Sequence, residues 1–347
     1  MGSLDKILEN HRKVIEEGCK TKGSLKYRSY AITALRGGVG KSTLAFNLAY
    51  EMSAKCSLLV ADLCAQCNLT EMLMRGSERE VTILNVLRPM MLGPAFGIVP
   101  SSPSYEVSRH CEPFKAHLPC FVIPGDAMMF AFPSNMYQQL QLATADTQDS
   151  ERVVKRLLES LKEALNKEAK HIKAEGILMD TSPFYAGGTH LAWCAADAVI
   201  IPIRVDEHSI SSLELTLDLM SNPNGDFMVW NKRAGGRQPP KVAAIVMTMV
   251  GAKGKKKFTP DRASQMYIER ALRIAEKHQT LFGCADPADA FVITDDFVSS
   301  GRISGAKGIP ISKLKVDSFH TVEGRRLQVN ASVTRYQREL AYLTSIL

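Results

Sequence analysis

Eight consecutive residues constrain this chain more than any others: Arg36-Gly37-Gly38-Val39-Gly40-Lys41-Ser42-Thr43. They follow an apolar run at 28–35, rich in Ala, Ile and Thr, and they open a run at 42–54 with Leu44, Leu48 and Met52 on one helical stripe. Glycines let successive backbone N–H groups turn toward one anion. A lysine at position 41 reaches the outer phosphates of a nucleotide, and a hydroxyl at position 42 suits Mg²⁺. A helix starting there aims its positive end at the same anion. Such a loop works only between a strand and a helix, so it calls for an α/β chain.

The rest of the chain agrees. Apolar or β-rich runs at 57–62, 120–124, 176–180, 198–203, 242–248 and 291–294 read as strands. Helical spacing marks 4–19, 151–171 and 335–347, and a cap signal opens a further helix over 259–278. Thr259-Pro260 reads as a helix cap with proline at the first helical position. Residues 76–119, rich in Pro, Ser and Gly, carry no clear pattern. Strands alternating with helices predict a doubly wound, mostly parallel sheet with helices on both faces. Ligands of such sheets bind at the carboxyl ends of the strands. The organisation expected is a helical extension over 1–28, then one domain over 29–347.

Composition excludes other classes. Of 347 residues, 45% are hydrophobic and 23% charged, which is neither disordered nor fibrous. No apolar run reaches the roughly 18 residues of a membrane span, and the polar start lacks an apolar signal core. A cytoplasmic protein is expected, and its eight cysteines are then expected to be reduced. Cys64 and Cys67 have CxxC spacing, but no second pair supports a metal or redox role. The charge is one-sided. Residues 1–229 hold 23 Lys and Arg against 26 Asp and Glu, whereas residues 230–347 hold 20 against 10. A basic final third suits a polyanion.

The loop lacks the usual glycine at position 35, which is Leu35, and has Gly37 and Gly38 instead. It thereby resembles the deviant Walker A motif of the ParA/MinD ATPases, K-G-G-x-G-K-[ST], with Arg36 at the first lysine. After its second strand that family reads D-x-D-P-Q-x-N-x-T, and this chain reads Asp62-Leu63-Cys64-Ala65-Gln66-Cys67-Asn68-Leu69-Thr70. Gly176 to Asp180, followed by Thr181-Ser182-Pro183, resembles the family's Walker B strand. The likeness spans about residues 29–250.

The resemblance implies ATP and Mg²⁺ as cofactors. Residues 36–43 would hold the nucleotide, Ser42, Asp62 and Asp180 the metal, and Lys41, Arg36, Asp62 and Gln66 would serve catalysis. In the family the signature lysine reaches the nucleotide of a partner subunit; here that task falls to Arg36. The second aspartate of the family orients the attacking water; here Cys64 stands in its place, and a thiol is a poor acceptor. Slow hydrolysis follows. The family also implies a nucleotide-dependent homodimer, a ParB-like or cargo adaptor, and non-specific DNA binding in partition or cargo positioning. Lys253, Lys255, Lys256, Lys257, Arg262, Arg270 and Arg273 are the DNA candidates. A regulatory switch with a protein or membrane partner is the alternative. A metabolic ligase on the same fold fits Gln66-x-Asn68-x-Thr70 less well. The closing helix, with Tyr336, Leu340, Leu343, Ile346 and Leu347 as its stripe, is expected to pack on the domain rather than on a membrane.

Overall fold

A computed structural model describes residues 2–19, 23–145, 149–251, 259–295 and 297–347. One sheet contains β1 (Ser29–Ile32), β2 (Leu58–Asp62), β3 (Tyr105–Glu106), β4 (Cys120–Ile123), β5 (Gly176–Asp180), β6 (Ala198–Arg204), β7 (Lys241–Thr248) and β8 (Phe291–Ile293). Their spatial order is β3-β4-β2-β5-β1-β6-β7-β8. Every neighbouring pair is parallel except the edge pair β3 and β4. The fold is the expected α/β class.

The helices along the chain are α1 (Ser3–Glu17), α2 (Lys41–Ser53), α3 (Asn68–Met74), α4 (Ile83–Leu92), α5 (Phe132–Ala145) and α6 (Ser150–His171). They continue as α7 (Gly188–Ala195), α8 (Glu207–Ser221), α9 (Asp226–Arg233), α10 (Arg262–Lys277), α11 (Val298–Lys307) and α12 (Val333–Ile346). Side chains alternate across the strands and feed two cores. Tyr30, Ile32, Leu58 and Val60 enter the core shared with α2, α3, α11 and α12. Ala31, Leu59 and Ala61 enter the opposite one, which α4 to α10 cover. Both faces being buried explains why the central strands read as continuous apolar runs.

The helix α6 shows the local logic. Val154, Leu157, Leu158, Leu161 and Leu165 fall on one buried stripe, with charged residues between them. In α12, Tyr336, Leu340 and Leu343 are buried, so the expected stripe faces the core. α1 lies against α12, α10 and β8.

The cap expected at Thr259 is displaced. Asp261 caps α10, its carboxylate accepting from the Ser264 N–H at 2.7 Å, and the helix opens at Arg262. A carboxylate two residues on outcompetes the hydroxyl for the free N–H groups. Several elements escaped the pattern. All eight residues of α7 are buried, so it has no stripe. The inner face of α8 includes Ser209, Ser212 and Thr216, which mute its periodicity. A hairpin of β9 (Phe319–Val322) and β10 (Arg325–Gln328) turns at Glu323 and Gly324, both with positive φ (49° and 76°). This is the primed two-residue turn, with Glu where Asn or Asp is commoner.

Candidate nucleotide site

The loop after β1 lies where the sheet changes direction, with β5 on one side and β6 on the other. Gly38 (φ 73°) and Gly40 (φ 85°) take left-handed conformations that side chains resist. α2 starts directly behind them at Lys41. Gly37, Gly38, Gly40, Lys41, Ser42 and Thr43 line a cavity of about 490 Å³. Gln66, Asn68 and Cys64 complete its wall from the second loop. Val39 is buried beneath the loop, and Thr248 at the end of β7 donates to its carbonyl at 3.4 Å.

The Lys41 ammonium is nearly buried and folds back, donating to the carbonyls of Arg36 (2.9 Å) and Ala34 (3.3 Å). Burial lowers its pKa, which Asp180 partly opposes. A phosphate oxygen is a better partner for that ammonium than two carbonyls.

Asp62 and Asp180 are register partners on β2 and β5, and both are fully buried. Burial first, and the charge of Asp62 second, push Asp180 up to about 7. One Asp180 oxygen accepts from the Ser42 hydroxyl at 2.7 Å. The other has no hydrogen-bond partner among the described residues. A hydroxyl, a spare buried carboxylate oxygen and a second carboxylate alongside fit a hard divalent cation. Mg²⁺ held by Ser42 and Asp180 would supply charge neutralisation for phosphates in the cavity.

Asp62 behaves differently. Its oxygens accept from the Cys64 N–H (3.0 Å) and from the N–H and hydroxyl of Thr70 (2.9 and 2.7 Å). The Thr70 hydroxyl in turn accepts from the Gly125 N–H at 2.8 Å. Asp62 therefore pins the second loop in shape, and Thr70 reads as its anchor. Cys64 is buried against the cavity as a free thiol, its pKa raised by burial and by Asp62 and Asp180. Cys67 is a free thiol as well.

Arg36 pairs within its own chain. One guanidinium nitrogen meets Asp206, the residue that caps α8, and also donates to the Ser209 hydroxyl at 3.1 Å. Sequence inspection did not single out Asp206.

A second cavity of about 300 Å³ shares Gly40 and Thr43 with the first. Thr248, Met249, Thr294, Phe297 and Arg302 line it. Thr248 ends β7, and Met249, Thr294 and Phe297 follow β7 and β8, so the rule that ligand residues follow strands would have found these four. Of the DNA candidates, Lys253, Lys255, Lys256 and Lys257 lie outside the described residues. Arg262 is exposed at the start of α10. Arg270 forks onto Glu207 at 2.5 and 2.6 Å, and Arg273 lies 3.6 Å from Glu269.

No helix among the described residues is long and apolar enough to cross a membrane. No curated protein matches the chain at a significant level. The fold is similar to McdA from Cyanothece in complex with ATP, with a TM-score of 0.59 at 18% identity over 84% of this chain and 91% of that one. Apo McdA gives 0.56 at 19%, over 81% and 90%. A plasmid partition protein of Borrelia burgdorferi bound to AMPPNP gives 0.53 at 17%, over 91% and 98%. A family model described as an AAA domain matches residues 27–222. With that match over more than half its length, and with the loop and acids placed as above, the chain belongs to this AAA-domain family of P-loop proteins and is of the ParA/MinD type.

Proposed function

We propose that this protein binds ATP with Mg²⁺ and hydrolyses it slowly, as a ParA-like switch. In this role the ATP-bound form dimerises, holds DNA without sequence preference, and serves plasmid or chromosome partition or cargo positioning. The observation that carries it is the cradle itself: Lys41 facing the cavity, and Ser42 bonded to a buried Asp180 with one oxygen to spare. The phosphates occupy the larger cavity, and the base and ribose the smaller one beside Thr43. The McdA and Borrelia structures were determined with ATP and AMPPNP, which supports the same ligand class here.

Dimerisation across this face has its own support. Phe184 follows the cavity residue Pro183, and Met129 lies against Gly188, where α7 opens after that loop. Met128, Phe130 and Phe184 are exposed on these adjoining segments. Apolar side chains grouped beside a charged cavity suit burial by a second copy.

Arg36 must leave Asp206 before it can reach a partner's nucleotide. Asp206→Asn keeps the cap of α8 but weakens the pair. A partly exposed pair is worth about 0.2–1 kcal/mol, and a symmetric dimer breaks two of them, so the variant tightens the ATP-dependent dimer by roughly two- to thirtyfold. Sedimentation with a slowly hydrolysed ATP analogue measures this. Unchanged association would show that the intrachain pair does not compete.

The role as a whole is tested by ATP-dependent dimerisation and DNA binding of the purified chain, with Lys41→Ala as control. DNA binding indifferent to both ATP and Lys41 would defeat the partition role. Dimerisation without DNA binding would favour the regulatory switch with a protein or membrane partner.

A further inference from the structure

We infer that the β9–β10 hairpin is a DNA-contacting ribbon whose exposed cations, Arg326 on its outer face and Arg325 beside the turn, grip the phosphate backbone of duplex DNA. This deepens the DNA-binding role proposed above and rests on it.

The hairpin is a separate two-stranded unit, outside the main sheet, seated on α11. Its alternation assigns two faces. Val322 and Leu327 point inward and pack on the core formed by α2 and α12. Phe319, Thr321, Arg326 and Gln328 lie on the other face and are exposed, whereas Arg325 pairs with Val322 on the inward side but, beside the turn, is exposed as well. Backbone bonds hold its base: the Asp317 N–H to the Val329 carbonyl at 2.8 Å, and the Val329 N–H to the Ser318 carbonyl at 2.9 Å. The Ser299 hydroxyl, on α11, donates to the Gln328 carbonyl at 3.1 Å. A ribbon anchored on one side and bare on the other is built to present something.

What it presents is positive charge. Residues 302–326 hold six lysines and arginines against two acids. Lys313, Lys315, Arg325 and Arg326 are all exposed, and among the described residues none of them forms an ion pair. Arg270 and Arg273, by contrast, each sit beside a glutamate. The Arg326 guanidinium lies 4.0 Å above the Phe319 ring, which orders it while leaving its N–H groups free. One acid, Asp317, is engaged by Gln328 at 3.0 Å. The other, Glu323, occupies the tip, so phosphates meet the flank of the ribbon rather than its end. A two-stranded ribbon matches the width of the major groove, and unpaired Arg and Lys supply sequence-independent affinity.

The position also links the ribbon to the nucleotide. α11 contributes Gly305 to the phosphate cavity and Gly301 and Arg302 to the second one. A ligand that moves α11 moves the hairpin resting on it.

The test is anisotropy of a labelled random-sequence duplex with the full chain and Mg·ATP, across a salt series. The variants are Arg325→Ala with Arg326→Ala, the same pair changed to Lys, and Arg270→Ala with Arg273→Ala. The alanine pair on the hairpin is expected to lose about tenfold or more in affinity and to lower the salt slope by about 1.8, at roughly 0.9 for each contact removed. The lysine pair keeps most of the slope, and ATP affinity is unchanged in all three. Wild-type affinity and slope in the hairpin alanine pair would overturn the inference. If that pair binds normally while the α10 pair fails, the hairpin assignment alone falls. If the wild type binds ATP but no duplex, or binds anionic vesicles of phosphatidylserine and no duplex, the DNA-binding role falls with it.

Discussion

Lys41→Ala is expected to lower ATP affinity by roughly 100-fold, about 2.7 kcal/mol. Lys41 is the ammonium placed at the mouth of the loop, nearly buried, and hydrogen-bonded to the carbonyls of Ala34 and Arg36. With alanine in its place the outer phosphates lose this ammonium, and charge-assisted bonds are about twice as strong as neutral ones. The same change costs the empty protein little. It frees two carbonyls but also removes a buried charge whose pKa burial already depresses. Thermal melting separates the two effects. Wild type gains about 2.7 kcal/mol when ATP stands at 100 times its dissociation constant. The variant melts near the wild-type temperature without ATP and gains almost nothing with it. An undiminished ATP-induced shift would remove Lys41 from the site.

Cys64→Asp is expected to raise ATP turnover by about 10- to 100-fold, or roughly 1.4–2.7 kcal/mol of barrier. Cys64 borders the cavity beside Gln66. Burial and the two neighbouring aspartates keep its thiol protonated, so it has no charge with which to hold a water. A carboxylate there regains the acceptor that the ParA/MinD pattern carries. It also adds a third negative group beside Asp62 and Asp180, both fully buried. The nucleotide-free variant therefore melts several degrees lower, since like charges in a buried cluster destabilise it by about 1–3 kcal/mol. Mg²⁺ with ATP recovers that loss. Phosphate release under single-turnover and steady-state conditions decides the matter. A wild-type rate already typical of the family, unmoved by the substitution, would mean that Gln66 or another group positions the water.

Short-range signals were legible in the chain. The loop at 36–43 needs only its own glycines, lysine and hydroxyl, so its place between strand and helix was readable. Strand-ending Asp62 and Asp180 were readable because parallel strands buried on both faces are continuous apolar runs broken by one acid. α6 followed from its periodicity, and α10 from the Thr259-Pro260 signal that lies just ahead of its Asp261 cap. α7 did not, because a helix buried on every side has no polar face to reveal its period.

Tertiary structure decided what depends on residues far apart in sequence. It alone made Asp62 and Asp180 register partners, one holding the second loop and the other leaving an oxygen free. It alone set Arg36 on Asp206, 170 positions away, and joined Thr43 to Thr248, Thr294 and Arg302 around a second cavity. The one-sided charge was visible as composition, but composition does not say which cations are paired. The fold ties Arg270 to Glu207 and leaves Arg325 and Arg326 on an exposed ribbon. The loop thus declares its phosphate chemistry by local backbone geometry, whereas the partners of each charge are set by the strands and helices that bring them together.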